Sequence, residues 1–273
     1  MEILVKRLTG VRAKIERARR HIRDLEIELS AFRENNRHSV VIENDVQAGE
    51  KVHRVRFITP LPDSLPLIAG DTVHNLRSAL DHLAWQLVER HGQQAPTRDT
   101  SYPIYSEAAK FHSRGAQRKI QGIDPAVLPL IEATQPYHTG YDGLGVLSEL
   151  DNFVKHKLLI VAAAKLGDIF YGLGDAGVAE MMRQGKERGS VSFFVYANTS
   201  LYSKSGSPVF LKDGDILARV PPLDGLEEYA KVNANITLAF CEPQVVEGRA
   251  ILPLLTQLAE LVERVVDQFI PFL

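Results

Sequence analysis

The chain has 273 residues, of which 45% are hydrophobic and 24% are charged, and its formal net charge is −2. These values are typical of an ordinary globular protein, and a chain of this length buries enough surface to fold without a disulfide or a structural metal. They exclude a disordered chain, a collagen-like repeat and a disulfide scaffold. Cys241 is the only cysteine, so neither an internal disulfide nor a cysteine-based zinc site is expected.

No membrane segment or export signal is predicted. The longest apolar run, residues 158–164, is far shorter than the ~20 residues that a membrane span requires. The N-terminus carries an early acidic residue, Glu2, and no long apolar stretch, which argues against a secretory signal. We therefore expect a cytoplasmic protein that contacts no membrane.

The clearest pattern predicts a long N-terminal helix. Apolar residues recur at alternating steps of four and three from Leu4 to Phe32, and Gly10 weakens this helix by about 1 kcal/mol. Such a stripe belongs either to a dimerisation helix or to the outer helix of an intramolecular bundle. The helix is basic over residues 1–23 and turns acidic at Asp24, so it either holds a polyanion or is a solvated face with acidic neighbours.

A β-hairpin near residues 38–58 follows, and Pro60, Pro62 and Pro66 then stop regular structure. Beyond the prolines the apolar periodicity predicts helices over four stretches: residues 67–90 or 71–90, 107–120, 124–133 and 144–165.

The last third of the chain is β-rich and closes with a helix. Strands are predicted at residues 191–196, 209–211, 216–218 and 232–240, with a hairpin turn at the Asp-Gly pair in 212–215, and the closing helix covers residues 251–269. The spacing G-x-G-x-x-G occurs at 172–177. A dinucleotide site needs a buried strand before this spacing and an acidic residue after the next strand, so we expect a flexible loop there.

This order of elements predicts an α+β protein: a helical bundle with a β-hairpin, followed by a small antiparallel β-rich segment and a closing C-terminal helix. If there are two domains, residues 1–166 form the mostly helical one and residues 167–273 carry the β-rich segment and the last helix. A single compact unit is the other possibility.

The first candidate site is a polar stripe on the helix at 67–90. At 100° per residue, His74, Ser78, Asp81 and Trp85 fall within an arc of ~60°, and Arg77 lies at its edge. Such a stripe beside a leucine stripe is unusual for a merely solvated face. In the plainer interpretation, Arg77 and Asp81 form a helical ion pair at a spacing of four.

Within this stripe, the string Arg77-Ser-Ala-Leu-Asp-His82 resembles the signature of the HEPN (higher eukaryotes and prokaryotes nucleotide-binding) superfamily. There an arginine is followed by a polar residue and then, four to six positions after the arginine, a histidine. Active members are metal-independent ribonucleases, usually dimers whose two signatures face one cleft. The resemblance covers at most residues 1–166, and Ser78 stands where asparagine, aspartate or histidine is commoner.

The resemblance implies that His82 is the general acid/base for attack by the 2′-hydroxyl and that Arg77 balances charge on the phosphorane. Histidine titrates near neutral pH, and guanidinium matches phosphate oxygens, so both roles are chemically reasonable. On an ideal helix, however, five steps place Arg77 and His82 about 140° apart.

A second polar cluster lies on the predicted helix at 144–165: Glu149, Asp151, Asn152, Lys155 and His156. If the two helices pack together, five side chains converge: His74, Arg77, Asp81, Asn152 and His156. They then form either an active-site wall or a buried hydrogen-bond network that fixes the helix register. Neither Glu-x-x-His nor His-x-x-x-His occurs on these two predicted helices, and no metal or cofactor is predicted.

The sequence thus predicts a HEPN-like protein that binds RNA or a nucleotide, forms a homodimer and, if it is an enzyme, cuts RNA without metal. The alternative is a non-catalytic interaction or scaffold protein in which the His/Arg/Asp cluster is a structural polar network. A third is a small-molecule enzyme with its pocket between the helical and β-rich parts.

Overall fold

A helical bundle and two antiparallel sheets make up the described part of the chain. The computed structural model describes residues 2–35, 40–57, 59–155, 161–185, 196–197, 210–220, 225–240, 246 and 248–273. The helices within these ranges are α1 (Glu2–Asn35), α2 (Ser64–His91), α3 (Ala108–Phe111), α4 (Arg114–Lys119), α5 (Leu128–Ala133), α6 (Asp142–Val154), α7 (Asp175–Arg183) and α8 (Ile251–Phe269).

Helix α2 lies at the centre of the bundle and packs against α1, α6 and α8. The apolar stripe of α1 is buried by this packing: Leu8, Val11, Ile15, Ala18, Leu25, Leu29 and Phe32. It therefore serves the intramolecular bundle. Helix α8 closes the core with a broad apolar face, typical of a helix that packs on several neighbours.

The strands form two sheets, and every pairing is antiparallel. They are β1 (Val40–Asp45), β2 (Glu50–Val55), β3 (Val161–Leu173), β4 (Tyr196–Ala197), β5 (Phe210–Leu211), β6 (Ile216–Val220) and β7 (Ala230–Phe240). The strand orders are β1-β2-β6-β4 and β5-β3-β7. The α+β class, the hairpin of β1 and β2 and the closing helix are confirmed.

The prediction of one helix over residues 144–165 is wrong. Helix α6 ends at Val154, and residues from Val161 onward form β3, which pairs with β7 over most of its length. A short apolar run fits a buried strand as well as a helix, and here the regularly alternating β7 supplies the partner.

The hairpin predicted around residues 212–215 is also wrong. Strand β5 pairs with β3, whereas β6 pairs with β2 and β4, so the two flanking strands belong to different sheets. The turn itself exists, with Gly214 at φ +88°. Its backbone bonds to β2, because Val55 N donates to Asp215 O (2.9 Å) and Gly214 N donates to Val55 O (2.9 Å).

The flexible loop predicted at 172–177 is regular structure instead. Strand β3 runs to Leu173, and α7 begins at Asp175. Gly177 allows this helix to pack closely, since a Cβ there would lie 2.5 Å from Tyr229 Cβ. The strand before the turn is antiparallel to its neighbours, which is not the parallel β-α-β context of a dinucleotide site.

Three helix boundaries differ from the predicted ones. Helix α2 begins at Ser64, so Pro66 lies in its first turn, where proline is tolerated. The helix predicted at 107–120 is divided by Ser113, whose side chain accepts a bond from Ala116 N and caps α4. Asp124 binds Ala126 N through its side chain and holds a turn ahead of α5.

The predicted division between residues 1–166 and 167–273 stays a prediction. Its boundary falls inside β3, and α8 packs against α1, α2 and α6. Of the strand predicted at 191–196, residues 191–195 lie outside the described residues. Among the described helices, none combines the length and apolar character needed to cross a membrane.

Strand β2 carries a buried histidine without a partner among the described residues. His53 is 1% exposed, and both of its ring nitrogens are buried without a hydrogen bond there. Burial lowers the pKa of His53 from its ordinary value of 6.5, because the charged imidazolium loses its hydration.

We expect His53 to make the protein less stable in mild acid. Below pH 6.5 the unfolded chain binds a proton that the folded chain disfavours, so the free energy of unfolding falls by about 1.4 kcal/mol per unit of pKa lowering. Urea denaturation from neutral pH to about pH 5 measures this loss. His53→Leu should reduce the loss and the control His138→Leu should not. Equal losses in wild type and His53→Leu would contradict it.

Candidate functional site

An ion pair on α2 binds both backbone polar groups of one residue in the segment between α2 and α3. Arg77 Nη2 donates to Tyr102 O (2.7 Å) and lies 2.9 Å from Asp81 Oδ1. Tyr102 N donates to the same Asp81 oxygen (2.9 Å). The side chains of Arg77 and Asp81, four residues apart, thus do for Tyr102 what a neighbouring strand would do. We call these three residues the Tyr102 clamp.

The residues after Tyr102 are held in a similar way by α5 and the turn that follows it. Gln135 Nε2 donates to Pro103 O (3.0 Å), and Gln135 Oε1 accepts from Tyr105 N (3.0 Å). The Tyr102 side chain is fully buried, hydrogen-bonded to the Thr134 hydroxyl, and packs edge-on against Phe269 with ring centroids 6.1 Å apart. The clamp therefore connects α2 through this segment to α5 and α8.

Burial raises the pKa of Asp81 above its ordinary value. The positive charge of Arg77 and the Tyr102 N–H oppose this shift, whereas the negative charge of Asp151 adds to it. The Asp81 side chain is nevertheless 34% exposed, so part of it remains in contact with solvent.

The predicted packing of the two polar helices brings His74 onto Asp151. His74 Nδ1 lies 3.2 Å from Asp151 Oδ1, and Lys155 Nζ lies 2.6 Å from Asp151 Oδ2. Asp151 is 1% exposed, but His74 and Lys155 are 55% and 50% exposed. A buried carboxylate thus orients an exposed imidazole and an exposed ammonium group.

Lys119, at the end of α4, lies near Arg77, Asp81 and Lys155. Its amino group lies 5.5 Å from the centre of the Tyr105 ring. Burial lowers the pKa of Lys119; the positive charges of Arg77 and Lys155 lower it further, and Asp81 opposes the shift. We call Arg77, Lys119 and Lys155 the cation cluster.

Arg77 is turned into the protein, and its Nη1 is buried without a hydrogen-bond partner among the described residues. His82 is exposed and lines a cleft with Asp81, Trp85, Gln86 and Thr100. The structure therefore joins Arg77 to Asp81 and Tyr102, and His82 to this cleft. Their assignment as a catalytic pair stays a prediction.

The other predicted residues take different positions. Ser78 is half-buried on α2, and Asn152 is exposed on α6. His156 lies outside the described residues. The basic first half of α1 is partly neutralised, because Arg19 pairs with Glu263 on α8 and Arg23 pairs with Glu16 (3.0 Å).

Sequence reasoning missed Tyr102 and Lys119. A buried arginine must find an acceptor, but no pattern in the sequence identifies a backbone carbonyl 25 residues away as that acceptor. Lys119 ends a six-residue helix and carries no periodic signal. Both come to α2 through tertiary packing alone.

Among the described residues, no group of three or more His, Cys, Asp or Glu side chains is placed to hold a metal ion. No protein-family model, curated protein or solved structure matches the chain. What the site can do chemically is therefore inferred from its own residues alone.

We expect Arg77→Ala to lower the free energy of unfolding by ~1–3 kcal/mol, because it leaves Tyr102 O and the Asp81 carboxylate short of a partner. Chemical denaturation at neutral pH measures this change. The matched control is Arg90→Ala, an exposed arginine in the last turn of the same helix. If Arg77→Ala is as stable as this control, the clamp does not hold the fold.

Proposed function

We propose that the protein binds RNA or a nucleotide through phosphate groups at the cation cluster. One observation carries the proposal: Arg77 pairs with Asp81, Lys155 pairs with Asp151, and Lys119 lies close enough to Arg77, Asp81 and Lys155 for their charges to shift its pKa, while no third carboxylate pairs with these cations among the described residues. The cluster therefore keeps an excess of positive charge even when His74 is neutral. A bound phosphate supplies the missing negative charge.

The three cations play different parts in this proposal. Lys155 and His74 are exposed and contact the phosphate, and Lys119 approaches from α4. Arg77 contributes its charge from within the protein while it holds Tyr102. The resemblance of Arg77-x4-His82 to the HEPN signature supports the same ligand class.

We expect a short fluorescein-labelled single-stranded RNA of mixed sequence to bind the protein in EDTA. The slope of log affinity against log salt is negative, and each lost phosphate contact makes it less steep by about 0.7. Lys155→Gln and Lys119→Gln should each show this change in fluorescence anisotropy titrations. Lys110→Gln is the control, an exposed lysine on α3 whose ion partner is Glu107.

The melting temperature of each variant is measured as well, because Lys155 is bonded to the buried Asp151 and its substitution could weaken the fold rather than the phosphate contact. If wild-type protein does not bind RNA or nucleoside monophosphates at low salt, the proposed function is wrong. Equal salt slopes in wild type and both folded variants would place the phosphate elsewhere.

A second candidate is metal-independent RNA cleavage, favoured by the pairing of His74 with Asp151. A carboxylate at Nδ1 fixes the imidazole tautomer and leaves Nε2 to accept a proton. In the step we propose, the 2′-hydroxyl gives its proton to His74 Nε2 and its oxygen bonds to phosphorus. The bond from phosphorus to the 5′-oxygen then breaks, and this oxygen takes a proton from water. Lys155 faces the developing negative charge.

We expect a mixed RNA incubated in EDTA to yield 2′,3′-cyclic phosphate ends. His74→Ala should lower the rate by ~10²-fold or more, the scale of a lost general base. His82→Ala is the matched substitution on the same helix, and the family resemblance assigns the base to this residue instead. Absence of cleavage, or cleavage unchanged in both variants, rules out the catalytic candidate and leaves phosphate binding standing.

The non-catalytic alternative also has an observation in its favour, since the Tyr102 clamp is a structural network. A homodimer and a cytoplasmic location stay predictions. From Leu8 to Phe32 the α1 stripe packs within the chain, so an assembly must use a surface other than this part of α1. Analytical ultracentrifugation measures the assembly state directly.

A further inference from the structure

A cleft lies along the second half of α2, next to the Tyr102 clamp. Helix α2 lines it with Asp81, His82, Trp85 and Gln86, and the segment between α2 and α3 lines it with Thr100. Its volume of about 330 Å³ falls within the size range of small-molecule sites. Asp81 belongs both to the clamp and to this cleft, so the cleft adjoins the cation cluster.

The aromatic wall of the cleft is held in place by one carboxylate. Trp85 is 40% exposed, and its Nε1 donates to Glu89 Oε1 (3.0 Å). Gln86 Nε2 donates to the other oxygen, Glu89 Oε2 (2.9 Å). Both side chains are therefore oriented before any ligand arrives, which lowers the entropic cost of binding.

The imidazole of His82 also lines the cleft and lies against α1. A Cβ added at Gly10 would lie 3.1 Å from His82 Nδ1. A glycine in a helix interior costs about 1 kcal/mol relative to alanine. Gly10 is explained by this close approach, because it makes room for the ring between the two helices.

Asp81 supplies a polar group beside the aromatic wall. Its Oδ1 serves both Arg77 and Tyr102, which leaves Oδ2 as the oxygen for a ligand. The Gln86 amide and the Thr100 hydroxyl lie on the same cleft. A flat ligand with N–H donors and ring acceptors fits an aromatic surface edged by these three groups.

From this geometry we infer that the cleft binds a nucleobase, which stacks on Trp85 and hydrogen-bonds to Asp81. The inference rests on the proposed function, because the phosphate at the cation cluster belongs to the same RNA strand. His74, which contacts that phosphate, and Trp85 are separated by a rise of ~16 Å along α2, with Asp81 between them. This span is longer than one nucleotide, so an RNA strand lying along the helix places the base of one nucleotide on Trp85 and the phosphate of a neighbouring nucleotide beside His74 and Lys155.

The inference can be tested by fluorescence, because Trp85 is the only tryptophan in the chain. The probes are the four nucleosides, their 5′-monophosphates and ribose 5-phosphate. We expect nucleosides and monophosphates to quench the emission. Ribose 5-phosphate should bind without quenching.

Calorimetry on variants provides the second measurement. Stacking contributes enough that Trp85→Ala should weaken nucleoside monophosphate binding about 5- to 150-fold. Trp85→Phe keeps an aromatic face and retains binding. Phe272→Ala is the matched control, since Phe272 is also 40% exposed but lies at the C-terminal end of the described chain.

The outcomes separate the two proposals. If RNA binding depends on Lys155 but no nucleoside or monophosphate quenches Trp85, the nucleobase inference is overturned and phosphate binding stands. Quenching by ribose 5-phosphate equal to that by the monophosphates also overturns it. If neither RNA nor any monophosphate binds, the proposed function fails as well.

Discussion

The charged pair Arg77–Asp81 sets the geometry of everything around α2, because it binds the peptide groups of a neighbouring segment. Arg77 takes the carbonyl of Tyr102 and Asp81 takes its N–H, so the segment between α2 and α3 gains from side chains the hydrogen bonds that a neighbouring strand would supply. A buried carbonyl or N–H left without such a bond is costly. The position of Tyr102 then fixes the packing of its ring against Phe269 on α8.

This clamp also explains why charge accumulates beside it. Arg77 can be kept inside the protein because Asp81 is next to it, but that use of Asp81 leaves fewer negative charges for the lysines nearby. Asp151 is already shared by His74 and Lys155. The carboxylates of Asp81 and Asp151 therefore serve two purposes. They hold the helices and the Tyr102 segment together, and they determine how much positive charge is left for a ligand.

Much of the fold could be predicted because its strongest signals are local. The α1 stripe, the alternation in β7 and the apolar face of α8 each identify an element from its own residues. The start of β3 has no such signal: its apolar residues fit a helix or a strand, and only pairing with β7 decides. The Asp-Gly turn at 213–214 likewise exists, but the strands on either side of it, β5 and β6, pair with strands of different sheets.

In the candidate site, too, the contacts within one helix could be predicted from the sequence, and the contacts made through tertiary packing could not. The ion pairs at a spacing of four, Arg77–Asp81 and Asp151–Lys155, could be predicted from helix geometry, as could the convergence of His74 with α6. The approach of Tyr102 and Lys119 could not, since both arrive through loops whose course depends on the whole core. The five-step spacing of Arg77 and His82 correctly suggested that the two side chains leave the helix in different directions.

The pairing of β2 with β6 has a consequence for how this protein is made. Arg54 and Gly214, which are joined by a hydrogen bond, are 160 residues apart in sequence, and Arg19 and Glu263 are 244 residues apart. Contacts of such long sequence separation form slowly, because the chain must close large loops before it gains any contact energy. On the ribosome, α1 therefore emerges long before α8, and the β1–β2 hairpin emerges long before β6. Until α8 has been synthesised, the apolar stripe of α1 lacks one of its covering helices, and this exposed surface is a natural target for chaperones.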